Sequence, residues 1–253
     1  MEDWKSRTRM LVGQNGLDRL EQASVVVAGI GGVGAYAAEM LVRAGVGHIS
    51  IIDSDEVSVT NRNRQLIALD STVGRPKCEV MAARLMDINP GLDLKLLQTY
   101  ILPSVKSDGS PCNEGSGSVP EALLAGMHID FVVDAIDTLA PKLSLIKYCV
   151  EAGIPIVSSM GAGAKYDVTK VRIADISKSF NCPLAYIVRK RLRHMGISKG
   201  VQTVFSEELS DRNAFVPCDE PNKKSQVGTV SYLPAVFGCA CAQAVLQHLL
   251  GMK

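Results

Sequence analysis

A short apolar run, Val25-Val26-Val27-Ala28, leads into Gly29-Ile30-Gly31-Gly32-Val33-Gly34, and a helix-forming stretch from about Gly32 to Ala44 leads out of it. An apolar run closed by glycines suits a parallel strand buried on both faces. The glycines let backbone approach a phosphate, and the helix N-terminus adds free N–H groups and positive potential. His48 to Asp53 reads as the second strand, and Asp53 follows Gly34 by 19 residues. A carboxylate there is placed to accept hydrogen bonds from ribose hydroxyls. A tight turn without a ligand is the plainer reading, and the strand–loop–helix context with Asp53 argues against it. The loop alone does not choose between NAD and ATP.

Further on, Pro76 can open a helix to about Ile88. Lys142 to Glu151 suits another. Leu92 to Gln98, Ile129 to Ile136 and Ile154 to Ser158 read as strands. Alternation of this kind predicts an α/β fold, a Rossmann-like parallel sheet with helices on both faces. After about Gly161 the pattern loosens, with Val168 to Ile173 as an antiparallel strand, so a less regular C-terminal part continues the sheet. The expectation is a single domain over 1–253: an N-terminal arm to about 22, a nucleotide-binding part over about 23–160, and a substrate or dimer part over about 161–253. The polar, glycine-rich stretch 104–118 is expected to be a surface loop.

Composition narrows the function. A net charge of +1 excludes a globally basic nucleic-acid coat, and 5% aromatic residues argue against a base-stacking sheet. Seven cysteines include no Cys-x-x-Cys pair, so no zinc is expected and a reducing, cytoplasmic setting is. The N-terminus lacks the apolar segment of a signal peptide. From Ser225 to Met252 no charged side chain occurs, long enough to cross a bilayer. Pro234, taken as an interruption, and the polar Gln243, Gln247 and His248 favour a buried strand and a core helix over membrane association.

The choice of nucleotide comes from Asp53-Ser54-Asp55, then Thr60-Asn61-Arg62-Asn63-Arg64-Gln65 and Gly74-Arg75-Pro76-Lys77. Hydride transfer needs no cations just beyond the ribose carboxylate. Attack of a carboxylate on an α-phosphate does, because negative charge builds on phosphoryl oxygens. Arg62 and Arg75 fit a solvated loop equally well. Asp134-Ala135-Ile136-Asp137 ends a strand at the edge where such sheets bind ligands. Asp137 is the candidate Mg²⁺ ligand, since Mg²⁺ takes one or two carboxylates plus phosphates; capping the next helix is its alternative. Asp134 reads as structural.

Together these motifs resemble the superfamily of ubiquitin-activating-like adenylyltransferases over residues 6–160. Ser-Arg-Thr-Arg-Met-Leu-Val-Gly near the start and Ser-Tyr-Leu-Pro-Ala-Val-Phe-Gly near the end resemble its tRNA threonylcarbamoyladenosine dehydratase branch. The resemblance implies ATP as the nucleotide, with Mg²⁺. Gly29, Gly31, Gly32 and Gly34 would lie along it, Asp53 and Asp55 at the ribose end, Asn61, Arg64 and Lys77 on the triphosphate, and Asp137 by the metal. Arg9, or Arg7 as second choice, matches an arginine that reaches into the partner's site in a homodimer. Arg64, Lys77 and Arg9 would thus carry the chemistry.

The implied reaction adenylates the threonyl carboxylate of threonylcarbamoyladenosine in tRNA and then cyclises it with net loss of water. No enzyme nucleophile is needed, because the attacking ureido group is tethered beside the carbonyl. For tRNA contact, Arg189, Lys190, Arg191 and Arg193 lie in a stretch without acids, which could equally be a solubilising helix face. The rival readings are an enzyme that adenylates the C-terminus of a sulfur-carrier or ubiquitin-like protein, an NAD-dependent oxidoreductase, and a non-catalytic nucleotide-sensing module. The first predicts a reactive Cys218 and a partner ending in a flexible Gly-Gly tail; a cysteine-desulfurase or sulfur-relay partner is a separate expectation of the chain. The second predicts no role for Arg64 or Lys77. Retention of Arg64, Lys77 and Asp137 speaks against the third.

Overall fold

The computed structural model describes residues 3–104, 116–217 and 225–252. The apolar run forms β1 (Ser24–Ala28), whose Val25 to Ala28 are fully buried. Val25 and Val27 face one hydrophobic layer, Val26 and Ala28 the other, the two-residue period of a strand covered on both sides. Each of the three valines contributes about 1.5–3 kcal/mol of burial.

β1 is central. β2 (His48–Ile52) and β3 (Asp93–Leu97) lie to one side. β4 (Phe131–Asp134), β5 (Ile156–Ser159), β7 (Gln202–Ser206) and β6 (Val171–Asp175) lie to the other. The order is β3-β2-β1-β4-β5-β7-β6, parallel except for β6, which runs antiparallel to β7. The chain winds outward in both directions from β1, so a crevice opens between the C-terminal ends of β1 and β4, the topological switch point. Ala28 pairs with Ile52 and with Asp134, which sets three strand ends level. The predicted antiparallel strand is β6, preceded by a short turn at Val168–Lys170. A separate two-stranded sheet pairs β8 (Phe215–Pro217) with β9 (Ser225–Val227) antiparallel.

Helix α2 (Gly34–Ala44) follows the glycine loop and α3 (Lys77–Ile88) follows Pro76, as expected. α4 is one turn (Pro120–Leu123), α5 spans Leu139–Glu151 and α6 spans Pro183–His194. The N-terminal arm is α1 (Ser6–Gln22), broken at Gly13 by a φ of 72°. α1 seats on the edge where the strands begin: Gly47 packs on the Glu21 backbone, and Leu17 lies against Gly45.

The charge-free segment becomes β9 and α7 (Tyr232–Leu250). By length and composition α7 could cross a membrane, but here it packs against α1, α2 and the sheet. Pro234 does not interrupt it. It is the third residue of α7, where the missing N–H has no partner to lose. Gly238 lets α7 approach α2, since a side chain there would run into Val33 and Tyr36.

Candidate active site

The glycine loop is closed by sterics. Gly29 has a φ of 88°, and a Cβ there would sit 2.8 Å from the Ala135 carbonyl oxygen. A Cβ on Gly34 would overlap the Gly29 carbonyl oxygen, so the turn can close only around a glycine. Gly31 is different: the nearest group to its missing side chain is Gln65 Nε2 at 3.7 Å, which leaves room on the loop surface. α2 starts without a side-chain cap or an acid in its first turn. Ala35 N–H is spent on the Gly31 carbonyl at 3.3 Å, and the α2 N-terminus otherwise offers N–H groups and positive potential to an anion.

Asp53 ties this loop to the sheet. Its Oδ2 accepts from Ile30 N–H at 2.6 Å, and its Oδ1 from Asp55 N–H at 2.8 Å. Each carboxylate oxygen keeps a lone pair for a ribose hydroxyl. Burial pushes the Asp53 carboxyl above the ordinary range, against the opposing charge of Lys77 and the two N–H donors. Lys77 is buried at the start of α3, its Nζ 2.7 Å from Asp55 Oδ2, while Asp55 is largely exposed. An ammonium carries three donors, so this ion pair leaves Lys77 capacity for a phosphate oxygen.

Asn61 shapes the next turn. Its Oδ1 accepts from Ser58 N–H at 3.1 Å, and its carbonyl accepts from Arg64 and Gln65 N–H. Arg64 is folded back by bonds from its Nη1 to Thr60 O and Asn63 Oδ1, with its Cγ 3.5 Å from the Cβ position of Gly32. Arg62 spends its guanidinium on Asp70 at 2.9 Å, the solvated-loop outcome, and Arg75 is exposed. Gln65, to which the sequence gives no separate role, is buried beside Gly31. Its Oε1 has no hydrogen-bond partner among the described residues. Its only signal was adjacency to Arg64.

Across the crevice, Asp134 is fully buried, bonded to Lys142 Nζ at 2.7 Å, Ser158 Oγ at 2.6 Å and Ile136 N–H at 3.1 Å. This is the structural role expected of it. The network braces the segment Ala135–Asp137 against the glycine loop, and Asp137 is exposed on it. No cluster of three or more His, Cys, Asp or Glu able to hold a metal occurs among the described residues. Mg²⁺ bound with phosphates commonly takes only one or two carboxylates, so a single carboxylate such as Asp137 could hold one.

Two groups of predicted residues lie elsewhere. Arg9 pairs with Asp3, and its Nε is buried without a partner among the described residues. Lys5, one turn before Arg9, packs on Gly45 at the far end of α2. The rise of α2 puts about 16 Å between that end and Gly34, so Arg9 is remote from its own chain's glycine loop. On α6, Lys190, Arg191 and Arg193 are exposed, but Arg189 turns inward. Its Nη1 donates to both Ser179 O and Ser179 Oγ at 2.6 Å. Cys218 lies outside the described residues.

Comparison with known proteins places the chain among relatives. The ThiF family matches residues 5–253. A tRNA threonylcarbamoyladenosine dehydratase of Bacillus subtilis is 43% identical, with 97% of this chain and 94% of that protein aligned. The Escherichia coli tRNA N6-threonylcarbamoyladenosine dehydratase in complex with ATP superposes with a TM-score of 0.84 at 34% identity, covering 97% of this chain and 93% of that one. The same enzyme in complex with AMP gives 0.82 at 34% identity over the same shares of both chains.

Proposed function

The chain belongs to the ThiF family, and from that membership we infer that it is an ATP-dependent tRNA threonylcarbamoyladenosine dehydratase. One observation supports the reading: the stem of Arg64 lies beside Gly32 and the ammonium of Lys77 beside Asp55 and Asp53, so two segments bring cations to the neighbourhood of the glycine turn. Such an arrangement suits the charge of a nucleoside triphosphate.

In this reading Asp53 receives the ribose, and Gly29 to Gly34 with the α2 N-terminus receive the phosphates. Asn61 sets the turn that presents Arg64. An oxygen of the threonyl carboxylate attacks the α-phosphorus, and pyrophosphate leaves. Arg64 and Lys77 stabilise the charge on the phosphoryl oxygens. The ureido group, tethered to the same arm, then attacks the acyl carbon, and AMP leaves with the carboxylate oxygen. Tethering supplies most of what a catalytic nucleophile would otherwise provide. Asp137 would hold Mg²⁺, which supplies charge neutralisation on the triphosphate when bound.

The chain acts as a homodimer in the cytoplasm, with Arg9 serving the partner's site. The arm that carries Arg9 supports this: Met10 is 87% and Leu11 86% exposed, with Trp4 on the same segment. Lys190, Arg191 and Arg193, with exposed Tyr186 on the same helix, supply phosphate contacts for tRNA.

The test is mass spectrometry of nucleosides from tRNA bearing threonylcarbamoyladenosine, before and after incubation with enzyme and ATP. The reading requires loss of one water from that nucleoside. An unchanged nucleoside, with AMP transferred instead to the C-terminus of a small carrier protein, would assign the chain to the sulfur-carrier class. Cys218→Ala separates the two as well, since cyclisation needs no thiol and a sulfur relay does.

A further inference from the structure

Adenylation uses the glycine loop and its cations, and leaves unexplained a group of aromatic side chains at the same end of the sheet. Six aromatic residues are exposed among the described residues: Trp4, Tyr166, Phe180, Tyr186, Phe215 and Tyr232. All but Trp4 fall in the C-terminal part, and the segments that carry Tyr166, Phe215 and Tyr232 are tied together into one junction by backbone and hydroxyl hydrogen bonds. Ala164 N–H donates to Gly228 O at 2.8 Å, and Gly228 N–H donates to Ala214 O at 2.8 Å, next to Phe215. Thr229 O accepts from Asn63 Nδ2 at 3.1 Å, which fastens the junction to the turn that presents Arg64.

Tyr232 stands at its centre. It is the first residue of α7, and its hydroxyl donates to the Tyr166 carbonyl at 3.0 Å. Two residues later, buried Pro234 packs 3.1 Å from the Cβ position of Gly32. The Tyr232 backbone therefore lies within about one helical turn of the nucleotide loop, on a different face of α7 from Pro234, and its ring turns toward Tyr166. Its ring is held at both ends, by the helix backbone and by the hydroxyl, yet the residue remains 47% exposed. A ring fixed in this way loses little rotamer freedom when something covers it. A buried tyrosine would pack its ring, and a purely linking one would need no exposed aromatic surface beside a reaction centre.

The substrate supplies an occupant. Its reactive carboxylate sits on a short arm attached to an adenine base in RNA. For the arm to reach the α-phosphate, that base must leave its neighbours and lie beside the crevice. Unstacked RNA bases are held on aromatic side chains. We propose that Tyr232, steadied by Tyr166, is the stacking platform for the purine base that carries the reacting arm. This rests on the dehydratase reading above.

Steady-state kinetics on the full chain test it, with ATP and an RNA stem–loop carrying threonylcarbamoyladenosine. Tyr232→Leu should raise the KM for RNA about tenfold or more, the scale of one lost base–aromatic stack, and leave the KM for ATP unchanged. Tyr232→Phe, which keeps the ring and loses the hydroxyl, should stay within about threefold of the parent enzyme by the same stacking logic. A Leu variant with unchanged RNA KM would overturn the proposal. So would a Phe variant as impaired as Leu, or an equal rise in the KM for ATP.

Trp4 is the single tryptophan. Tyr232→Trp in a Trp4→Phe background therefore reports stacking directly, even if the Leu variant does not fold. Fluorescence quenched by the modified stem–loop supports the platform, and fluorescence unaffected by saturating RNA refutes it. Failure of the parent enzyme to dehydrate the RNA at all would instead sink the dehydratase reading.

Discussion

The glycine turn and the aromatic junction are neighbours, joined by the Asn63–Thr229 bond and the contact of Pro234 with Gly32, but their residues come together by opposite routes. Gly29 to Gly34 are consecutive, and Gly29 and Gly34 are glycine because a Cβ will not fit there. Tyr166 and Tyr232 lie 66 positions apart, and Asn63 and Thr229 lie 166 apart. Nothing local dictates those residue types. Binding phosphate thus rests on backbone geometry, which tolerates almost no substitution. Presenting the RNA arm rests on docked side chains, which should fail by degrees.

Breaking the turn should have the largest effect. Gly34→Ala places a Cβ on the Gly29 carbonyl. ATP–pyrophosphate exchange should drop by more than about 10³, since the loop and α2 N-terminus lose their common geometry. Retained exchange would show that the turn does not hold the phosphates.

Arg64→Ala and Lys77→Ala come next, each losing about 10²–10³ in kcat, the scale for one transition-state donor. RNA affinity, followed by gel shift, should hardly move. Full activity in both variants would void the role assignment.

Replacing Lys190, Arg191 and Arg193 together by alanine addresses the C-terminal side of the comparison. The KM for tRNA should rise about tenfold, and the slope of log affinity against log salt should fall by about 2–3. Adding Arg189→Ala should change that slope no further, because its guanidinium is committed to Ser179. A further fall would put Arg189 back among the RNA contacts.

The smallest effect is a pH dependence. The folded-state pKa of Asp53 is raised, chiefly by burial. Its contribution to stability is therefore present at low pH and lost as pH rises through that folded value. Its contribution to ribose binding runs the other way, because accepting two hydroxyls favours the ionised form. The KM for ATP should rise as pH falls toward the raised value. Asp53→Asn should flatten that dependence, and a profile identical in both proteins would remove Asp53 from the ribose.

The legibility of the chain follows the same division. β1, α2, β2 and the switch-point crevice were readable because apolar runs and glycines act locally. Asn61, Arg64, Lys77 and Asp137 could be assigned to the nucleotide by motif; the structure sets the Arg64 stem beside Gly32 and the Lys77 charge beside Asp53, and their roles belong to the proposed function. The sequence could not show that Asp53 also pins the loop through Ile30, since that bond spans 23 positions. It could not show that Gln65 is buried beside Gly31. Pro234 was misread as a break because a proline in the first helical turn looks, in sequence, like one in the interior. Arg189 was counted among outward cations because its acceptor, Ser179, lies before the helix begins. Tyr232 sat in a quoted motif without a role, because its neighbours arrive only through tertiary contact.

The central claim is that the crevice activates a carboxylate as its adenylate. A heavy oxygen isotope placed in the threonyl carboxylate tests it most directly. After one turnover with ATP, the label should appear in AMP, because that oxygen leaves with the α-phosphate. Label recovered in inorganic phosphate, with ADP as the nucleotide product, would mean that the carboxylate attacks the γ-phosphate instead, and the roles given to Arg64 and Lys77 would have to be withdrawn.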